Sequence, residues 1–100
     1  MPDQVKAVLV GCGGISRTWL RTITELPNVD LLALVDLNRA AAAARAEEFG
    51  LEDIEISTVL APTLAELEPD VVFDCTVPTA HHTVTLTALK QGCHVLGEKP

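Results

Sequence analysis

The chain has 100 residues, of which 48% are apolar, and it carries a formal net charge of −7. This length limits it to one small domain, and the apolar content is sufficient for a folded core rather than a disordered chain. The acidic balance argues against nucleic acids and anionic membranes as partners, because both require a basic surface.

Alternating apolar runs and helical patterns cover the whole chain. In chain order we predict strand 6–11, helix 15–27, strand 29–36, helix 39–49, strand 54–60, helix 62–69, strand 70–77, helix 79–92 and strand 94–98. This alternation indicates right-handed βαβ units. We therefore expect an α/β fold of the Rossmann type, a doubly wound parallel sheet with strand order 3-2-1-4-5.

Local signals set the predicted helix boundaries. Pro27 closes the first helix, Asn38 is the expected N-cap of the second, and Gly50 follows its end. Pro62 is expected at the first position of the third helix, and Gly92 ends the fourth.

The sequence contains no membrane-span, signal-peptide or cysteine-pair motif. No apolar run reaches the roughly 18 residues of a membrane-spanning helix, and "MPDQVKAVLV" lacks the layout of a signal peptide, so we expect a cytoplasmic protein. Cys12, Cys75 and Cys93 form no CxxC pair, so neither disulfides nor a metal site are expected. Cys12 lies at a helix start, where a thiolate could be reactive, but a small inert side chain is the preferred interpretation.

A glycine-rich turn joins the first strand to the first helix. Residues 11–16, "GCGGIS", match G-x-G-x-x-G with Ser16 in the third glycine position. Gly11 permits the tight turn, Gly13 lets a pyrophosphate approach the backbone, and serine is small enough for helix–strand packing. The helix dipole and first amides then face the phosphates. We expect a dinucleotide to lie on Gly11, Gly13, Gly14 and Ile15.

Asp36 ends the second strand, twenty residues after Ser16. A carboxylate there can accept hydrogen bonds from the hydroxyls of the adenine ribose and would repel the 2′-phosphate of NADP. NAD is therefore the favoured cofactor. Arg39 keeps NADP possible, because a guanidinium can bind a phosphate or stack on adenine, unless it is a solvated helix residue.

The last third of the chain resembles a known family. "DVVFDCTVPTAHHTVTLTALKQGCHVLGEKP" is similar to the glucose-fructose oxidoreductase/inositol dehydrogenase (Gfo/Idh/MocA) family, with Thr-x-Pro, a histidine, "AL…G.HV" and Glu-Lys-Pro. With the glycine motif and Asp36, the resemblance spans the whole chain. It implies that residues 1–100 are a truncated NAD(P)-binding domain, and that a C-terminal α/β substrate domain, absent here, completes an oxidoreductase.

The resemblance also implies a reaction and roles for individual residues. The family transfers hydride to or from CH-OH groups of sugars, inositols and related compounds, and the full-length protein is expected to be a homo-oligomer. Lys99 is the implied catalytic lysine. His81 is the implied family histidine counted back from Gly92, although His82 matches when counted forward from Pro78. The contacts implied with the nicotinamide half of the cofactor are Thr76, Val77, Pro78, His81 and Glu98.

Two other interpretations stay open. A dinucleotide-binding fold can act as a non-catalytic sensor or regulator. A methyltransferase-type fold uses a similar glycine loop to bind a nucleoside without a pyrophosphate. The Glu-Lys-Pro ending at residues 98–100 disfavours both.

Overall fold

The computed structural model describes residues 4–97, apart from the side chains of Pro78 and His81. The strands are β1 (Val5–Val10), β2 (Val29–Val35), β3 (Glu55–Ser57), β4 (Val71–Asp74) and β5 (His94–Gly97). The helices are α1 (Gly14–Glu25), α2 (Arg39–Glu48), α3 (Leu60–Leu67) and α4 (Pro78–Lys90). Parallel pairing in the order β3-β2-β1-β4-β5 confirms the predicted Rossmann-type fold. Across residues 4–97, each helix is too short or too polar to cross a bilayer.

Two apolar layers enclose the sheet, as the continuous apolar run of β1 predicts. Ala7 and Leu9 face α1 and α2, whereas Val8 and Val10 face α3 and α4. Because β1 is the central strand and is covered on both faces, it needs apolar residues at successive positions. Because β1 pairs in parallel with β2 and β4, the carboxyl ends of these strands lie at one edge of the sheet.

A β-bulge interrupts the pairing of β1 with β2. Ala7 pairs with Leu31, but the next residue, Val8, pairs with Ala33. Leu32 is the extra residue, and it packs on the same face as Ala33. Bulges of this kind add one residue to a strand and shift its alternation. The bulge thus keeps the carboxyl half of β2 in phase with β1.

The N-cap predicted for α2 is confirmed. The side chain of Asn38 accepts hydrogen bonds from the N–H groups of Ala40 and Ala41, at 3.0 and 3.3 Å. Helix α1 ends at Glu25, two residues before Pro27, because the residue preceding a proline disfavours helical backbone.

The predicted start of α3 is wrong by two residues. The helix begins at Leu60, and Pro62 lies in its first turn, where a missing N–H removes no intrahelical hydrogen bond. The hydroxyl of Thr63 donates to the hydroxyl of Ser57 at 2.7 Å, which ties the helix to the end of β3. The strand predicted at 54–60 therefore stops at Ser57.

Candidate functional site

A cavity of about 1100 Å³ lies along the carboxyl edge of β1, β2 and β4. Doubly wound sheets bind ligands at this edge, where the strand order reverses. The cavity volume slightly exceeds the range typical for drug-sized ligands, so there is room for a dinucleotide. The structure brings together around it the predicted site residues Gly11, Gly13, Gly14, Ile15, Asp36, Thr76 and Val77.

The other predicted site residues have different surroundings. Arg39 is exposed and donates from Nη1 to the carbonyl of Ile56 on β3 at 3.1 Å. Pro78 and His81 belong to α4, and their side chains lie outside the described part of the structure. Glu98 and Lys99 lie outside the described residues altogether, and His82 is exposed on α4. The roles predicted for these residues stay predictions.

Gly11 carries the chain out of β1 against the backbone of β4. Its φ is +91°, and a Cβ placed there would lie 2.6 Å from the carbonyl carbon of Cys75 and 2.7 Å from the nitrogen of Thr76. These distances are shorter than any ordinary van der Waals contact. Only glycine therefore permits this crossing, which agrees with the role predicted for it.

Gly13 and Gly14 differ from Gly11, because packing within the described residues does not require glycine at either position. A Cβ placed at either residue would meet no atom within 4 Å, and both residues line the cavity. Gly13 is the N-cap of α1, and no side chain caps the helix. The first-turn amides of a helix have no intrahelical acceptor and attract anions. The open space and amides suit the pyrophosphate of a dinucleotide.

Ser16 replaces the third glycine of the motif without exposing its hydroxyl. The residue is fully buried. Its Oγ donates to the carbonyl of Gly13 at 2.5 Å, and its N–H donates to the same oxygen at 3.2 Å. The serine hydroxyl is therefore satisfied inside the first turn, and Leu20 and Ile23 of α1 share one apolar cluster with Leu9 of β1.

Asp36 is hydrogen-bonded on both carboxylate oxygens. Oδ2 accepts from the N–H of Cys12 and Oδ1 from the N–H of Asn38, each at 2.7 Å. A carboxylate oxygen has two acceptor positions, so the side chain can also accept hydrogen bonds from a ribose. Asp36 thus lines the cavity in a fixed orientation.

Arg45 contacts the glycine loop from α2, a contact the sequence analysis missed. Its Nε donates to the carbonyl of Cys12 at 3.2 Å, and its Nη1 pairs with Glu48 at 2.5 Å. Glu48 also pairs with Arg17 of α1 at 3.2 Å. The hydrogen bond from Arg17, and then that from Arg45, lowers the pKa of Glu48 below its ordinary value. The sequence contained a signal for this contact, because Arg45 lies three positions after the buried Ala42 and so on the same, inward face of α2.

Cys12 carries a buried thiol beside the end of β2. The residue is fully buried, and its Sγ lies 3.8 Å from the carbonyl oxygen of Val35. Burial, reinforced by the charge of Asp36, raises the pKa of the thiol to about 12. The thiol is therefore protonated at neutral pH, which favours the preferred interpretation over a reactive thiolate.

Asp74 is a second residue that the sequence analysis did not single out. Its side chain is buried at the end of β4, and Oδ1 accepts from both the N–H and the hydroxyl of Thr76, at 3.0 and 2.5 Å. Because the hydroxyl proton of Thr76 points to Asp74, the oxygen of Thr76 is left as an acceptor. The sequence signal that could have identified Asp74 was a carboxylate at the end of the apolar run "VVFD".

Comparison with known proteins agrees with this geometry. Residues 5–100 match the oxidoreductase family with an NAD-binding Rossmann fold, Gfo/Idh/MocA. The chain belongs to this family. The Gfo/Idh/MocA resemblance is therefore confirmed, and the methyltransferase-type alternative is not supported.

A curated relative of the chain is a dehydrogenase. The chain is 36% identical over 99 residues to the D-glucoside 3-dehydrogenase of Escherichia coli (strain K12). The match covers 98% of this chain and 28% of that protein.

Solved structures similar to the chain hold either cofactor. One is the WlbA dehydrogenase from Chromobacterium violaceum in complex with NADH and UDP-GlcNAcA, at 27% identity and a TM-score of 0.83, over 98% of this chain and 28% of that one. Another is a variant of KijD10, a 3-ketoreductase from Actinomadura kijaniata in complex with TDP-benzene and NADP, at 25% identity and a TM-score of 0.82, over 97% and 30%. The family is thus NAD(P)-binding, and the chain spans less than a third of these relatives.

Proposed function

We propose that this chain is the N-terminal cofactor domain of a dehydrogenase that prefers NAD and acts on CH-OH groups of sugar-like compounds. The bound nicotinamide would accept or donate the hydride, and the residues of this chain would bind and orient the cofactor. A substrate domain beyond residue 100 would complete the active site, as the length of the relatives supports. The sensor alternative is not favoured, because the relatives described above are dehydrogenases or reductases.

The charge of Asp36 carries the proposed preference for NAD. It is the one charged side chain among the described residues that line the cavity. Its hydrogen bonds to Cys12 and Asn38 prevent it from turning away. A fixed carboxylate can accept from ribose hydroxyls and repels a 2′-phosphate. The nearby cation of Arg39 is engaged with the carbonyl of Ile56.

An apolar wall beside Asp36 supports binding of the adenosine half of the cofactor. Leu37 follows Asp36 directly, lines the cavity and is 93% exposed. The wall continues over Leu60 and Ala61 at the start of α3 and reaches Thr83 on α4. An adenine ring packed there would cover apolar surface, which is favourable in water.

The end of β4 supports placing the nicotinamide half there. Thr76 and Val77 line the cavity, and the oxygen of Thr76 is an acceptor for hydroxyl or amide hydrogens. We propose that Glu98 contacts the same half of the cofactor. We propose Lys99 as the donor of a hydrogen bond to the substrate oxygen, and expect the full-length protein to form a homo-oligomer.

A binding titration tests the proposal directly. Energy transfer from Trp19, the single tryptophan of residues 1–100, to bound NADH or NADPH reports affinity for each cofactor. We expect NADH to bind at least about tenfold more tightly than NADPH, because of charge repulsion by Asp36. Equal or reversed affinities would overturn the NAD preference, and no binding of either would overturn the cofactor role.

A further inference from the structure

We infer that Arg45 is a positioning residue for pyrophosphate binding, because it holds the Cys12 carbonyl and thereby directs the Gly13 N–H toward the cavity. The inference deepens the proposed function and rests on dinucleotide binding by the glycine loop. Arg45 itself is not among the described residues that line the cavity. It would therefore act through the backbone and not by touching the cofactor.

Two contacts fix the guanidinium of Arg45. Nε donates to the carbonyl of Cys12 at 3.2 Å, and Nη1 is held by Glu48. The Arg45 side chain is only 15% exposed. A planar guanidinium engaged through two different nitrogens has little freedom to rotate. The carbonyl of Cys12 is therefore held toward α2.

The contact between Arg45 and the carbonyl of Cys12 also sets the direction of the Gly13 N–H. The carbonyl of Cys12 and the N–H of Gly13 belong to one planar trans peptide, so the two groups point in opposite directions. With the carbonyl turned toward Arg45, the N–H of Gly13 turns away from α2. Gly13 lines the cavity, so its N–H is directed to the side where an anion would lie.

The neighbouring peptides are held in the same manner. The N–H of Cys12 donates to Asp36, and the carbonyl of Gly13 accepts from Ser16, which turns the N–H of Gly14 out of the helix. Two successive amides thus have their orientations set by the protein. Donors oriented in advance bind a ligand more tightly, because their ordering is not a cost of binding.

The test compares ligands with and without a pyrophosphate. NADH affinity is measured by energy transfer from Trp19, and ADP-ribose and adenosine are measured as competitors of NADH. Arg45→Met should weaken NADH and ADP-ribose by about tenfold or more, the effect of losing a charge-assisted hydrogen bond that orients the binding amide, and change adenosine less than about twofold. The matched control is Arg17→Met, which removes the other partner of Glu48 without touching the loop and should leave all three ligands within about twofold.

Other outcomes of these titrations would overturn the role inferred for Arg45. Equal weakening of adenosine and NADH in Arg45→Met would indicate a general structural role and overturn it, as would an unchanged NADH affinity. Arg45→Lys keeps the charge without the planar fork, so a pyrophosphate-selective loss is expected there too. Full affinity in Arg45→Lys would overturn the inference, because the two-point contact of the guanidinium would then be unnecessary. Arg45→Lys also decides the case if Arg45→Met does not fold, and failure of the wild type to bind NADH would count against the proposed function instead.

Discussion

The Oδ2 atom of Asp36 accepts a hydrogen bond from the N–H of Cys12 at 2.7 Å, so the end of β2 and the glycine loop are joined as one unit. The residue expected to select the cofactor at the ribose also fixes the backbone expected to hold the phosphates. A substitution at Asp36 therefore has two separable effects.

Asp36→Asn should separate the charge of Asp36 from its hydrogen bond to the glycine loop. The amide oxygen of asparagine can still accept from the N–H of Cys12, so the contact with the loop is kept, whereas the charge and the hydrogen bond from the N–H of Asn38 are lost. We expect the ratio of NADH to NADPH affinity to fall by about tenfold or more. Asp36→Ala also releases the loop, and should weaken NADH by about 1–3 kcal/mol and NADPH by less. An unchanged ratio in both variants, measured by energy transfer from Trp19, would disprove the assignment.

Gly11→Ala should destabilise the fold. The added methyl would lie 2.6 Å from the carbonyl carbon of Cys75, on a backbone with a φ of +91°. Gly50→Ala is the matched control, because its φ is +67° and no atom lies within 4 Å of the added methyl. The control should lose about 1–2 kcal/mol of the free energy of unfolding, and Gly11→Ala should lose at least about 1–3 kcal/mol more. Urea denaturation measures both, and equal losses would contradict the predicted clash.

Gly13→Ala should weaken cofactor binding and leave the stability of the fold nearly unchanged. Gly13 has a φ of −80°, and an added methyl meets no protein atom within 4 Å. The free energy of unfolding should change by less than about 1 kcal/mol, as for an uncrowded surface site. The methyl would occupy space proposed for the pyrophosphate, so NADH affinity should fall by about tenfold or more. A variant that binds NADH like the wild type would place the pyrophosphate elsewhere.

The Cys12 thiol should be unreactive in the folded chain. Modification by a disulfide reagent at pH 8 should require unfolding, because the thiol is buried and has a pKa near 12. Since this pKa is raised above the ordinary value of 9.0, the thiol's contribution to stability is complete below pH 9 and is lost as the pH rises toward 12. The free energy of unfolding should therefore decline over this range, and less so in Cys12→Ala. Fast labelling of native Cys12 at pH 8 would contradict the assignment.

Lys99→Ala should impair turnover in the full-length protein and not cofactor binding. Loss of a hydrogen-bond donor to the reacting oxygen should lower kcat by about 100-fold or more. Lys99→Arg should also fail, because a planar guanidinium does not replace a compact ammonium. Near wild-type rates at saturating NAD would remove Lys99 from the mechanism and leave residues 1–100 as a cofactor platform.

Local signals predicted the order and type of the elements, because each depends on nearby residues. Asn38 caps α2 through amides two and three positions later, which is visible in the sequence. The start of α3 differs from the prediction because Pro62 is tolerated elsewhere in the first turn, and the hydrogen bond that ties Thr63 to Ser57 of β3 is not visible in the sequence. Where an element begins thus depends partly on contacts beyond it.

Site residues could be predicted from the sequence only where they belong to a motif with a known spacing. The glycine motif and Asp36 lie at a recognisable spacing, and the structure brings them together at one cavity. The contact of Arg45 with Cys12 depends on how α2 packs against the loop, 33 residues away. The hydrogen bond from Arg39 to Ile56 depends likewise on the position of β3. Neither contact can be predicted from the spacing of residues in the sequence.

The bulge at Leu32 has a consequence for how related chains are recognised. It absorbs one residue between Ser16 and Asp36 while Ala33 and Leu34 keep their pairing with Val8 and Leu9. A chain without that residue would have an unbroken β2 and the same carboxylate at the same edge of the sheet, with a gap of one position in its alignment. Searches that demand a fixed distance from the glycine motif to the acidic residue would therefore discard chains whose binding sites are superimposable on this one.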